Sequence, residues 1–175
     1  MQRYATDAPD GIRLLQAGKV GPDGLPPIMP AIQAYYKVVH RLARTAAFTD
    51  WAIVGDLPGG PRQAAFDWAP FADTFVLVVE PTSQSLLAAR RIARVLAQRS
   101  HKQVLAVANK VSSAEDVERI QAFLATRVAA VVPADGAVAA AERSGEALLD
   151  AAPRSPAVEA IAGLAERLQA GTIRS

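Results

Sequence analysis

The chain has 175 residues, with 19 lysines and arginines against 17 aspartates and glutamates, and 51% of its residues are hydrophobic. That length suits one domain with a sizeable core, and the near balance of charge removes any need for a strongly electrostatic partner. The absence of cysteine excludes disulfides, thiolate metal sites, iron–sulfur clusters and cysteine nucleophiles.

Alanine accounts for 37 residues, so core positions are read from the larger apolar side chains. Five short runs rich in β-branched residues predict strands, and helical patterns separate most of them. The first strand is expected over Ile12 to Gln16, followed by a Pro- and Gly-rich loop from Gly21 to Pro27 that forbids regular structure. A helix from Pro30 to Ala46 follows, with Ile32, Tyr35, Tyr36, Val39 and Leu42 on one face. The second strand, Trp51 to Val54, runs into Gly55-Asp56-Leu57-Pro58-Gly59-Gly60-Pro61.

The third strand, Thr74 to Val79, leads through Glu80-Pro81 to a helix from Ser83 to Arg99. That helix should turn Leu86, Leu87, Ile92, Val95 and Leu96 inward and Arg90, Arg91, Arg94 and Arg99 outward. The fourth strand, Val104 to Ala108, ends at Asn109-Lys110. Ser113 and Asp116 are then spaced as a capping box for a helix reaching Ala125. The fifth strand, Val128 to Val132, ends at Pro133-Ala134-Asp135. Helices over Ala137 to Arg143 and Pro156 to Gln169 complete the chain, the latter with Val158, Ile161, Leu164 and Leu168 at core spacing.

Strands alternating with helices predict an α/β fold: a mainly parallel, doubly wound sheet of about five strands in a single domain over residues 1–175. Ligands of such sheets sit at the carboxyl ends of the strands, which here carry Asp56, Glu80, Asn109, Lys110, Pro133 and Asp135. A carboxylate directly after a buried strand and before Pro-Gly-Gly can stand beside a magnesium ion, while glycines let backbone N–H groups approach a phosphate. Ordinary turn chemistry explains the same residues when they are taken alone. Asn109 could read a purine edge or simply cap a loop.

The order of these segments resembles the MinD/ParA family of P-loop ATPases, and within it the CooC-like accessory ATPases. The segments are Ile53-Val-Gly-Asp-Leu-Pro-Gly-Gly60, Phe75-Val-Leu-Val-Val-Glu-Pro81, Val107-Ala-Asn-Lys-Val111, and Pro133-Ala-Asp135 running into a short helix before Gly145. The resemblance implies that Asp56 is the acid holding the magnesium shell and that Gly59, followed by Gly60, lies near the terminal phosphate. It further implies that Asn109, followed by Lys110, reads adenine, and that the Pro133 to Asp135 loop closes over the base. ATP and Mg2+ are the cofactors it implies, and a homodimer or a protein partner the assembly.

The sequence departs from this pattern in two places. No Gly-x-x-x-x-Gly-Lys-Ser/Thr occurs, and the one Gly-Lys pair, Gly18-Lys19, is followed by Val20. The chain therefore corresponds to the family's later two-thirds, and ATP dependence is expected only with a phosphate loop supplied elsewhere. Where CooC-like relatives carry metal-binding cysteines, Gly21 to Pro30 carries none. The alternative is a non-hydrolysing relative that serves as a dimerisation or partner-binding module. A flavodoxin-like or receiver-like domain ranks last, because only Asp56 and Glu80 are acids at adjacent strand ends.

The remaining features point to no chemistry of their own. His40 and His101 lack carboxylates at ligand spacing. The arginines of residues 90–99 give weak support to a nucleic-acid contact and are read as a solvated face. No apolar run reaches the ~18 residues of a membrane span, the N-terminal residues lack a signal-peptide core, and the last helix lacks a lysine-rich face. A cytoplasmic location without membrane attachment is expected. Without its phosphate-loop strand, such a sheet should also leave an apolar edge that invites self-association or pairing with another protein.

Overall fold

The computed structural model describes residues 5–15, 28–42, 51–57, 59–60, 69–98, 102–126 and 128–171. The chain divides into two compact units, Met1–Ala52 with Trp68–Phe71, and Ile53–Asp67 with Ala72–Ser175.

In the smaller unit, strands β1 (Thr6–Asp7) and β2 (Arg13–Leu14) form an antiparallel hairpin, Thr6 opposite Leu14 and Asp7 opposite Arg13. The reversal passes through Asp10 and Gly11, both at positive φ (60° and 74°), the conformation for which an Asp-Gly pair is suited. Of the strand expected from Ile12 to Gln16, whose last residue lies outside the described residues, Arg13–Leu14 forms a two-residue ribbon strand, because this turn folds it back on Thr6. Arg13 pairs with Asp7 at 3.2 Å, and its guanidinium lies over the Trp51 ring at 5.9 Å. Helix α1 (Ile28–Leu42) carries Pro30 in its first turn, where no intrahelical N–H is lost. Its Tyr36 stacks on His40 with ring centroids 5.5 Å apart. The expected extension of α1 through Ala46 lies outside the described residues.

The larger unit is built on a parallel sheet of β3 (Thr74–Val79), β4 (Gln103–Val111) and β5 (Val128–Pro133), in that order. Helices α2 (Ser83–Ala97) and α3 (Ala114–Leu124) are the crossovers. The predicted capping box is present: the Ser113 hydroxyl accepts the Asp116 N–H, and the Asp116 carboxylate accepts the Ser113 N–H. Helices α4 (Gly136–Ser144), α5 (Leu148–Ala151) and α6 (Pro156–Gln169) follow β5.

Alternation along β3 sends Leu77 and Val79 into a core with Leu86, Ala89 and Leu96 of α2, Ile120 of α3, and Ala108 and Val111 of β4. The opposite face of the sheet joins Val107, Ala130 and Val132 to Ala157 of α6, with Leu148, Ala160 and Leu164 packed around them. The α/β class and the parallel sheet are thus as expected, with three strands among the described residues.

Several predicted details differ. Trp51–Val54 forms no strand, and its residues are exposed, Val54 at 94%. An apolar run becomes a strand only when a neighbour satisfies its backbone, and none of the described strands pairs with it. In α2, Leu87 is exposed, since the inward stripe runs through Leu86, Ala89 and Leu96. In α6 the inward stripe is buried Ala157 with half-buried Ala160 and Leu164, whereas Ile161 and Leu168 are exposed. Alanines allow the close approach of helix and sheet there, and they displace the larger residues to the flank. Arg90, Arg91 and Arg94 are exposed as expected, and the Arg90 guanidinium lies 5.3 Å from the centre of the Phe123 ring, which gives one of these cations a packing role.

Candidate functional site

At the carboxyl end of β3 the chain leaves the sheet through Glu80 and Pro81. Thr82 caps α2 by accepting the Ser85 N–H at 3.3 Å, and the Ser85 hydroxyl accepts the Glu80 N–H at 3.0 Å. Together these bonds fix the backbone of Glu80 next to the end of β4.

The end of β4 departs from regular pairing. Asn109 aligns with Val132 and Val111 with Pro133, so Lys110 is an extra residue in a bulge. It adopts a left-handed conformation with φ of 55°, one that residues other than glycine adopt only under local compulsion. A bulge re-aims side chains, and the Lys110 Nζ lies 2.6 Å from Glu80 Oε1. Hydrogen bonding to Glu80, then its charge, holds the Lys110 ammonium above its usual pKa, with a smaller contribution from Glu142. Asn109 and Lys110 therefore belong to the strand rather than to a loop after it, and Asn109 is half-buried.

Pro133 ends β5 because it has no N–H to continue the ladder. The next N–H, that of Ala134, donates to the Val111 carbonyl at 2.9 Å. Asp135 then caps two helices: Oδ1 accepts the Ala137 N–H at 2.9 Å, and Oδ2 accepts the Ala157 N–H at 3.1 Å. These bonds, Ala137 first, and a further one from Ser155 hold its carboxyl below the usual carboxylate range. Ser155, buried at 8% exposure, also caps α6 by accepting the Val158 N–H.

The structure thus gathers Glu80, Asn109, Lys110, Pro133 and Asp135 at the ends of three adjacent strands. Asp56 stands apart from this ladder, exposed on the irregular segment 51–57, with Gly59 exposed and Gly60 half-buried at φ of 151°. Sequence reasoning did not pair Lys110 with Glu80 or recognise the cap at Ser155. Opposite charges at consecutive strand ends, and a serine before Pro156, were the available signals.

A three-layered arrangement with a parallel sheet, flanking helices and polar residues at its carboxyl edge defines a doubly wound α/β fold. The particular fold is that of MinD. The MinD cell division protein of Aquifex aeolicus superposes with a TM-score of 0.69 at 21% identity, over 99% of this chain and 71% of that one. The septum site-determining protein MinD of Pyrococcus horikoshii, complexed with Mg-ADP, gives 0.72 at 19% identity, over 95% and 68%. The MinC:MinD complex of Aquifex aeolicus gives 0.51 at 24% identity over 63% of this chain and 48% of that one. Similarity at these identities establishes the fold. The sequence matches no family model, and no curated protein matches it.

The residues fit a nucleotide unevenly. Asn109 offers a planar amide in register with Val132, beside the Pro133 turn. The sequence has no Walker A loop, and the Lys110 ammonium is engaged by Glu80. Among the described residues no three His, Asp or Glu side chains gather as a metal site. No helix among the described residues is long and apolar enough to cross a membrane.

Proposed function

We propose that this chain is a MinD-like, cytoplasmic nucleotide-binding accessory module that takes the base end of ATP between Asn109 and the Pro133–Asp135 turn. The single observation that carries this reading is the bulged end of β4, where half-buried Asn109 lies in register with Val132 in a fold similar to a protein complexed with Mg-ADP. In this reading Asp56 carries the water shell of Mg2+, and Gly59 and Gly60 offer backbone to the terminal phosphate. Lys110 acts through the bulge that presents Asn109. Strong binding and hydrolysis require a phosphate loop from another segment or chain, because such loops supply most of the electrostatic grip on phosphate.

A second reading, a non-hydrolysing module that pairs with itself or with another protein, is favoured by the exposed valines of β3. Calorimetric titration of the full chain with ATP and Mg2+ separates the two. Micromolar binding that weakens by about tenfold or more in Asn109→Ala supports the nucleotide site. Absence of binding at millimolar ATP overturns it in favour of the second reading.

A further inference from the structure

Regular alternation along β4 would place Val111 on the face of Val107 and Asn109, opposite Ala108. Instead Val111, 8% exposed, joins Ala108 in the core beneath α2 and α3. The inserted Lys110 makes this possible, since Asn109 aligns with Val132 and Val111 with Pro133. Burial of Val111, and the bond its carbonyl accepts from the Ala134 N–H at 2.9 Å, hold the bulge from the core side. The Lys110 side chain lies outside that core, and its direction is set by Glu80, whose Oε1 stands 2.6 Å from Nζ. Glu80 is itself held. Its N–H donates to the Ser85 hydroxyl at 3.0 Å, and the alignment of Val79 with Ala108 brings it to the level of Asn109. Asn109 thus stands between a fully buried residue, Ala108, and one anchored across the edge of the sheet.

We propose that Glu80 is a positioning residue for Asn109: by anchoring Lys110 it fixes the peptide joining Asn109 to Lys110, and with it the orientation of the Asn109 amide toward a purine edge. This rests on the nucleotide reading given above and deepens it, since Glu80 acts through Lys110 and not by touching the base. The sign of one substitution separates positioning from charge. ATP is an anion, so a carboxylate at this edge repels it, and a lysine released from that carboxylate would attract it. Charge alone would make Glu80→Gln bind ATP more tightly. Positioning makes it bind more weakly.

Calorimetric titration of the full chain with ATP and Mg2+ tests this, alongside proton–nitrogen correlation spectra of the nucleotide-free chain that follow the Asn109 side-chain amide. Far-UV circular dichroism is the control for folding. Glu80→Gln and Lys110→Met should each weaken ATP binding by about two- to fivefold, the range that an exposed ion pair supplies. Glu80→Gln should also shift the Asn109 amide signal. The double variant should be no weaker than the weaker single variant, because the two side chains act as one unit. Lys110→Arg should regain most of what Lys110→Met loses. Glu166→Gln, at an exposed acid near the end of α6, controls for the change in net charge and should not weaken binding. Absence of wild-type binding at millimolar ATP overturns the nucleotide reading and this inference with it. Wild-type binding that weakens in Asn109→Ala but is unchanged or tighter in Glu80→Gln overturns the positioning role alone. An Asn109 amide signal indifferent to Glu80→Gln does the same.

Discussion

The carboxylate of Asp135 reaches the backbone N–H of Ala157, 22 residues further along the chain, at 3.1 Å. Its other oxygen caps α4 through Ala137. One side chain thereby ties the exit of β5 to the starts of two helices.

Asp135→Ala should lower the thermal midpoint by several degrees, and Asp135→Asn should fall between it and the wild type, because an amide oxygen can keep one of the two caps. The effect is pH-dependent in a defined sense. The folded-state pKa lies below the ordinary value of 3.8, so the stabilisation is complete above that value and is lost as pH falls through the folded pKa. Unfolding curves for wild type and Asp135→Asn should differ by a constant amount near neutrality and converge in strong acid.

The Glu80–Lys110 pair carries the opposite sign. Lys110 has its pKa raised above 10.5, so its contribution is present below that value and is lost as pH rises through the folded pKa. A double-mutant cycle with Glu80→Gln and Lys110→Met should show favourable coupling that shrinks in high salt, since the lysine is exposed. Coupling that is unchanged between low and molar salt would contradict this account.

Leu96 and Ile120 are fully buried between α2, α3 and the sheet. Leu96→Ala and Ile120→Ala should each cost about 2–5 kcal/mol by chemical denaturation, the usual transfer and cavity penalty. Leu87→Ala, at an exposed site on the same helix as Leu96, should cost about 0.5 kcal/mol or less.

Ser113→Ala removes the hydroxyl that accepts the Asp116 N–H at 3.4 Å. A loss of about 0.5–2 kcal/mol is expected, concentrated in α3. Amide hydrogen exchange should show faster exchange in the first turn of α3 than in α6.

Structure that depends on neighbours in the chain was legible in the residues. The continuous apolar runs at Thr74 and Val128, the spacing of Ser113 and Asp116, and Pro156 after Ser155 each state a local preference that packing then reinforces. The Asp10-Gly11 pair that folds the first strand back is a local signal too, of the kind that favours a tight hairpin turn. The candidate residues Asn109, Pro133 and Asp135 were identified because strand ends follow from where apolar runs stop.

Other features depend on partners distant in sequence. Trp51–Val54 has every composition cue of a strand, yet it forms none, because a strand exists only as half of a pairing. The left-handed Lys110 arises from a mismatch of register between β4 and β5, which neither segment encodes alone. Its contact with Glu80 arises from two strands ending at the same level, and the choice of Ala157 over Ile161 as the buried residue of α6 from how closely that helix meets the sheet. The sequence by itself determined the periodicities, the Ser113–Asp116 capping box and the absence of a phosphate loop, since these are properties of residues near one another in the chain. Register, burial and the grouping of charges at the carboxyl edge were decided by the tertiary structure, since each is a relation between segments that only folding brings together.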